Sequence, residues 1–255
     1  MPLYRQAGRA QALLHSTVSR FATQPANPRV LRGFTVSLGS GEHVAVIGPS
    51  GAGKSALGHA VTRLGELCAG SISFDGVDIS KIGLHQLRAI VSLIDRDPLL
   101  ITGTIRLNLD PKSELSDDEL WRALDRVGMR EVVLALDEPV VDNGSNYSVS
   151  ERVLLSIARA LLKKPKLVVL DDAVALLDSD ATSRLAAILE DEWKCTSVWV
   201  IASEDRLDAM PSLQRVIVLD KGQLVEQGTR KELLKKSKSM FHRLTDEWNR
   251  RKPQH

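Results

Sequence analysis

Cysteine is almost absent from this 255-residue chain: Cys68 and Cys195 are the only two, and they lie far apart. That number and spacing exclude a disulfide framework and a cysteine metal cluster, and they suit a reducing compartment. No apolar run approaches the ~18–20 residues that a membrane-spanning helix needs. The opening Met-Pro-Leu-Tyr-Arg has no apolar stretch, so no secretory signal is expected. Acids are missing before Glu42, while Arg5, Arg9, Arg20, Arg29 and Arg32 precede it. Such a start reads as a linker leading into a first strand, or alternatively as an organelle-targeting segment. There is no internal repeat and no low-complexity tract. A net charge of only +2 gives no case for a nucleic-acid partner. What is present is ordinary for a globular protein, 43% hydrophobic and 26% charged, in a length suited to one sizeable domain or a domain with an insertion.

The most informative stretch is Val44 to Ser55, V-A-V-I-G-P-S-G-A-G-K-S. A short apolar run fits a buried parallel strand, though alone it also fits buried helix. Glycines at 48, 51 and 53 let the backbone curl round an anion and turn successive N–H groups toward it. The positive end of the helix that follows adds to the attraction. In this arrangement Lys54 reaches the β- and γ-phosphates and the Ser55 hydroxyl holds Mg²⁺. Gly48, Pro49, Ser50, Gly51, Ala52, Gly53, Lys54, Ser55 and Ala56 are the candidate contacts to a nucleoside triphosphate.

Taken in order, His15 to Phe21 reads as an edge strand, Val30 to Leu38 as another strand, and Ala56 to Leu67 as a helix with Leu57, Ala60, Val61 and Leu64 on one face. Ser71 to Phe74 is expected to be a strand, ended by an Asp75-Gly76 turn. Leu84 to Ile90 follows as a helix and Val91 to Ile94 as a strand. Ser116 with three acids behind it predicts an N-capped helix to about Val127, and Glu131 to Leu136 reads as a further helix. Val149 to Lys163 is a helix by its apolar spacing. Leu167 to Leu170, Ser197 to Ala202 and Arg215 to Leu219 read as strands, with a helix over Thr182 to Trp193. The last stretch, about 229–252, is a basic helix with Leu233, Met240, Phe241, Leu244 and Trp248 on its apolar face; nine basic residues and three acids leave it at +6. Strands alternating with helices around a helix-rich centre predict an α/β nucleotide-binding core carrying an inserted helical part.

Asp171-Asp172, at the carboxyl end of an apolar strand, supplies the partner that the glycine loop needs. Asp171 is the candidate ligand for the Mg²⁺ that bridges the phosphates, and Asp172 the candidate to face the attacking water.

The order of segments resembles an ATP-binding cassette, the nucleotide-binding domain of ABC transporters, from about Ser16 to Leu234. It is most like the second such domain of subfamily C, the multidrug-resistance-associated type. The resemblance rests on Val30–Gly33, Gly48–Ser55, Asp75–Ile79, Ile82–Arg88, Gly103–Pro111, Ala158–Leu162 and Val218–Gly222. It implies one ATP-binding domain with a P-loop (RecA-like) α/β core, an antiparallel β subdomain and a helical subdomain over about 96–163, between a tail at 1–14 and the basic end. It also implies Mg-ATP as ligand, a second cassette and transmembrane domains as partners, and a place on the cytoplasmic face of a membrane.

The family pattern is altered where hydrolysis lives. Arg96 stands at the Q-loop glutamine, and a guanidinium cannot ligate a cation. The signature that grips the γ-phosphate across a dimer becomes Tyr147-Ser148-Val149-Ser150-Glu151, without glycine and with an acid. Asp172 replaces the glutamate that holds water, Ser203 replaces the switch histidine, and Asp178 keeps the D-loop aspartate. Phe21 is the match to the aromatic that stacks on adenine. The expectation is an ATP-binding cassette that drives or regulates export with slow hydrolysis of its own; a pseudo-ATPase scaffold is the alternative.

Overall fold

The computed structural model describes residues 14–22, 30–202 and 204–251. Strands β1 (Leu14–Ala22), β2 (Leu31–Leu38) and β3 (His43–Ile47) lead into helix α1 (Lys54–Val61). Then come β4 (Glu66–Phe74), β5 (Val77–Asp78), α2 (Leu84–Ile90) and β6 (Val91–Ile94). The middle holds β7 (Gly103–Thr104), α3 (Ile105–Leu109), α4 (Asp117–Arg126), β8 (Pro139–Val140) and α5 (Val149–Lys163). After it follow β9 (Leu167–Asp171), α6 (Ser179–Glu190), β10 (Ser197–Ile201), β11 (Arg215–Asp220), β12 (Gln223–Thr229), α7 (Arg230–Lys235) and α8 (Met240–Arg251).

Six strands form the main sheet in the order β12-β11-β3-β10-β9-β6, all parallel except β12 at the edge. β3, β9 and β10 are buried along their whole length. Their alternate residues serve two cores, as the two-residue period of a strand requires. Ala45, Ile47, Val168, Leu170, Val198 and Val200 face the core shared with α4, α5 and α6. Val44, Val46, Leu167, Val169, Trp199 and Ile201 face a second core with α1, α2 and the antiparallel sheet β2-β1-β4-β5. This is the α/β fold of a P-loop NTPase. Its parallel strands bring Ile47, Ile94, Asp171 and Ile201 to one edge, where ligands bind in such sheets.

Several expectations are corrected. β1 pairs with β2 on one side and β4 on the other, so it is interior and not an edge strand. Helix α1 stops at Val61 because Arg63 turns left-handed (φ 51°) and gives its guanidinium to the carbonyls of Ile79 and Ile82. Leu64 therefore leaves the helical face and is 54% exposed, and Glu66 and Leu67 already belong to β4. Glu131 to Leu136 forms turns and no helix: one turn closes on the Met129 carbonyl, and the Glu138 carboxylate then takes the N–H groups of Leu134 and Ala135. The C-terminal stretch is two helices. The Glu226 carboxylate accepts from the N–H groups of Met240 and Phe241 and fixes the start of α8, while α7 ends at Lys235. Leu233 and Phe241 are buried, and Met240 and Leu244 pack beside them. Leu14 opens β1, and the rest of the tail expected at 1–14 lies outside the described residues.

Candidate active site

The loop from Gly48 to Gly53 leaves β3 and delivers the chain into α1. Gly48 has φ +147°, and a Cβ there would lie 2.0 Å from the Leu219 carbonyl oxygen, so no side chain fits. Gly53 caps α1 in the left-handed region (φ 97°) and supplies no side-chain acceptor, which leaves the first-turn N–H groups of α1 without a cap. Ala52 donates to the Pro49 carbonyl, closing the loop on itself at 3.1 Å. The Lys54 ammonium folds over the loop and donates to the carbonyls of Gly48 (2.8 Å) and Pro49 (3.1 Å). Ser50 and Gly51, at the exposed tip, and the buried Ala52 and Ala56 complete the turn.

Strand β9 brings Asp171 to the start of α1, where Ser55 Oγ donates to Asp171 Oδ1 at 3.0 Å. Asp171 is only 6% exposed. Burial pushes its carboxyl above the ordinary value; the Ser55 hydrogen bond opposes that, and Asp95 and Asp172 add to it. Two hard oxygen donors at this spacing fit Mg²⁺, which takes carboxylate, hydroxyl and phosphate oxygens.

Asp172 sits in the left-handed region (φ 55°), its N–H bonded to the Ile201 carbonyl. Its carboxylate lies 3.7 Å from the Arg96 guanidinium, so two positions singled out separately in the sequence form one ion pair. The pairing was not foreseen. Ser148 and Glu151 are also engaged: the Ser148 hydroxyl accepts from the Glu151 N–H, and the Glu151 carboxylate accepts from the Ser148 N–H at 2.7 Å. This capping box closes the N-terminus of α5. Tyr147 is buried with its hydroxyl donating to Glu138, and burial together with that carboxylate raises its pKa. Arg152 ties the segment to the Arg96 loop, pairing with Asp97 and donating to the Tyr147 carbonyl. Ser150 is half-buried. Asp178 caps α6, accepting from the Ala181 N–H at 2.8 Å.

Phe21 lies in β1, opposite Leu31 and Leu67; its side chain and the Ser203 position are outside the described residues. The sequence reading missed His59 and Asp95. Their ligand atoms and that of Asp171 lie within 4.8 Å of one another. The signal was available, since Ser55 and His59 are one helical turn apart and Asp95 directly follows an apolar strand.

Residues 31–175 match the model of a family described as ABC transporter. The chain is 42% identical over 228 residues to ABC transporter C family member 5 of Arabidopsis thaliana, covering 88% of this chain and 15% of that protein. It is 41% identical over 209 residues to ATP-binding cassette sub-family C member 2 of Homo sapiens, covering 80% of this chain and 13% of that one. Among solved structures, a bacterial Atm1-family ABC exporter with ATP bound matches with a TM-score of 0.84 at 25% identity, over 94% of this chain and 42% of the other. The chain thus spans about 15% or less of the length of these curated relatives. Loop, paired aspartate, sheet order and sequence agree: this chain belongs to the ABC transporter family and is a nucleotide-binding domain of the subfamily C type.

Proposed function

We propose that the chain binds Mg-ATP as one cassette of an exporter and hydrolyses it slowly. It pairs with a different cassette and with transmembrane domains on the cytoplasmic face of a membrane. The observation that carries this is the contrast between Asp171, held ready by Ser55 at 3.0 Å, and Asp172, held by Arg96 at 3.7 Å. Ser55 and Asp171 would hold Mg²⁺, which when bound neutralises charge on the bridged phosphates. Lys54 sets a positive charge over the loop. Asp172 is shorter than glutamate and is drawn toward Arg96, so it orients water poorly, and a displacement of ~1 Å can cost about 10²-fold in rate. The helix behind the signature already has its own carboxylate at its N-terminus, so two copies of this chain would close weakly on ATP. A partner with an intact signature would complete the site built on Lys54 and Asp171. Family likeness supports the membrane partners; among the described residues no helix is long and apolar enough to cross a membrane.

Calorimetry with Mg-ATP tests the reading. Lys54→Ala should weaken binding by about 1.5–3 kcal/mol, the worth of a charge-assisted contact. Equal affinity in both proteins, or rapid turnover by the unaltered chain, would overturn it.

A further inference from the structure

We propose that His59, Asp95 and Asp171 form a site for a divalent transition-metal ion of the Mn²⁺ class, so that the cation pocket of this chain is not built for Mg²⁺ alone. The three residues come from separate elements, and the topology explains their meeting. β6 and β9 run parallel with Ile94 opposite Leu170, so the next residue of each, Asp95 and Asp171, emerges at the same level of the sheet. His59 lies one turn after Ser55 on α1 and so shares its face, the face that meets Asp171.

The ligand atoms lie within 4.8 Å of one another. Donors bound to one ion at about 2.0–2.2 Å lie about 3 Å apart when adjacent and at most about 4.4 Å apart when opposite, so the set closes on an ion by side-chain adjustments on the order of 1 Å. Among the described residues, neither the His59 nor the Asp95 side chain has a hydrogen-bond or ion-pair partner, and both act electrostatically on Asp171. The surrounding charge favours a dication. Asp95, Asp171 and Asp172 are faced by Arg96, which pairs with Asp172, while Lys54 is turned to the loop carbonyls.

The donor chemistry sets the class of ion. Mg²⁺ prefers an all-oxygen octahedron, whereas an imidazole nitrogen beside carboxylates shifts preference to first-row transition ions. Ser55 Oγ, already 3.0 Å from Asp171, is placed as a further oxygen donor.

Because Asp171 is shared, the inference rests on the ATP-binding reading for the ion's role, but the ion's binding is read without nucleotide. The test is Mn²⁺ titration of the nucleotide-free full chain, followed by electron paramagnetic resonance. The expected result is saturable binding with magnetic coupling to an imidazole nitrogen. In His59→Leu that coupling should vanish and Mn²⁺ affinity should fall about tenfold or more, since loss of a residue merely behind a ligand already costs that much. Asp95→Asn should weaken Mn²⁺ in the same direction with the coupling retained. Mn²⁺ bound without nitrogen coupling, or no binding at millimolar Mn²⁺, overturns the site. Nitrogen-coupled Mn²⁺ in a chain that fails to bind ATP would uphold it while refuting the ATP reading.

Discussion

Two helix N-termini in this protein approach the same task in opposite ways. α1 begins at Gly53, which is left-handed and offers no side chain, so its first-turn N–H groups carry no cap of their own. α5 begins at Ser148, whose hydroxyl and the Glu151 carboxylate satisfy each other's backbone N–H groups. A helix N-terminus attracts an anion because of its unsatisfied donors and its dipole. In α5 a carboxylate of the same chain already fills that role. In α1 the attraction is left for a ligand, and Lys54 adds to it. On the proposed reading, a signature segment keeps its fold while giving up its ligand, because the residues that cap the helix are the ones that would have faced that ligand.

The comparison breaks first at Gly48, where the largest effect is expected. Gly48→Ala puts a Cβ 2.0 Å from the Leu219 oxygen at φ +147°. Backbone of β3 or β11 must shift, at a cost of about 3 kcal/mol or more in the unfolding free energy measured by urea denaturation. Gly51→Ala, also at positive φ (77°) but with nothing within 4 Å, should cost only about 1–2 kcal/mol. Equal losses at the two positions would mean that the loop relaxes freely and is not held in shape by the strand beside it.

The difference between these two glycines could not be read from the sequence, although the loop itself could. Val44 to Ser55 announced strand, turn and helix because a buried strand and a left-handed cap leave few residue choices. The main sheet followed from apolar runs ended by polar turns. What escaped was decided by side chains reaching across the fold. Arg63 ended α1 by bonding carbonyls beyond β5, and Glu226 divided the last helix by reaching from β12. The Arg96–Asp172 pair joins residues 76 apart in sequence, and the His59–Asp95–Asp171 cluster joins three elements. The capping box was legible as serine followed three residues later by glutamate. A reading of Glu151 only as an acid within the signature passes over it, since the nearest duty of that carboxylate is to the Ser148 N–H.

A second, intermediate effect sharpens the contrast from the α5 side. Ser148→Ala removes one half of the box and should lower stability by about 1 kcal/mol, as such caps do. Glu151→Gln keeps an acceptor for the Ser148 N–H and discards the charge, so its cost should be a few tenths of a kcal/mol. Paired denaturation curves decide this. A larger loss for Glu151→Gln than for Ser148→Ala would show that charge at the helix dipole, and not the reciprocal hydrogen bonds, stabilises this end.

The smallest expected effect on stability lies between the two helices, at Arg96. Its pair with Asp172 is 3.7 Å long, and the two side chains are 66% and 42% exposed. Pairs so exposed contribute little once screened and loosened by side-chain entropy, so Arg96→Gln should change the unfolding free energy by no more than about 0.5 kcal/mol. Nucleotide affinity is the sharper reading of the same variant. If Arg96 serves Asp172, the substitution frees that carboxylate, leaves Mg-ATP affinity unchanged and does not lower turnover. If the guanidinium instead grips phosphate, affinity should fall by about 1.5–3 kcal/mol, the worth of a charged contact. Calorimetry of Arg96→Gln beside Lys54→Ala separates the two. A loss as large as that of Lys54→Ala would place Arg96 with the loop of α1, and the division between an open binding end and a closed one would have to be redrawn around it.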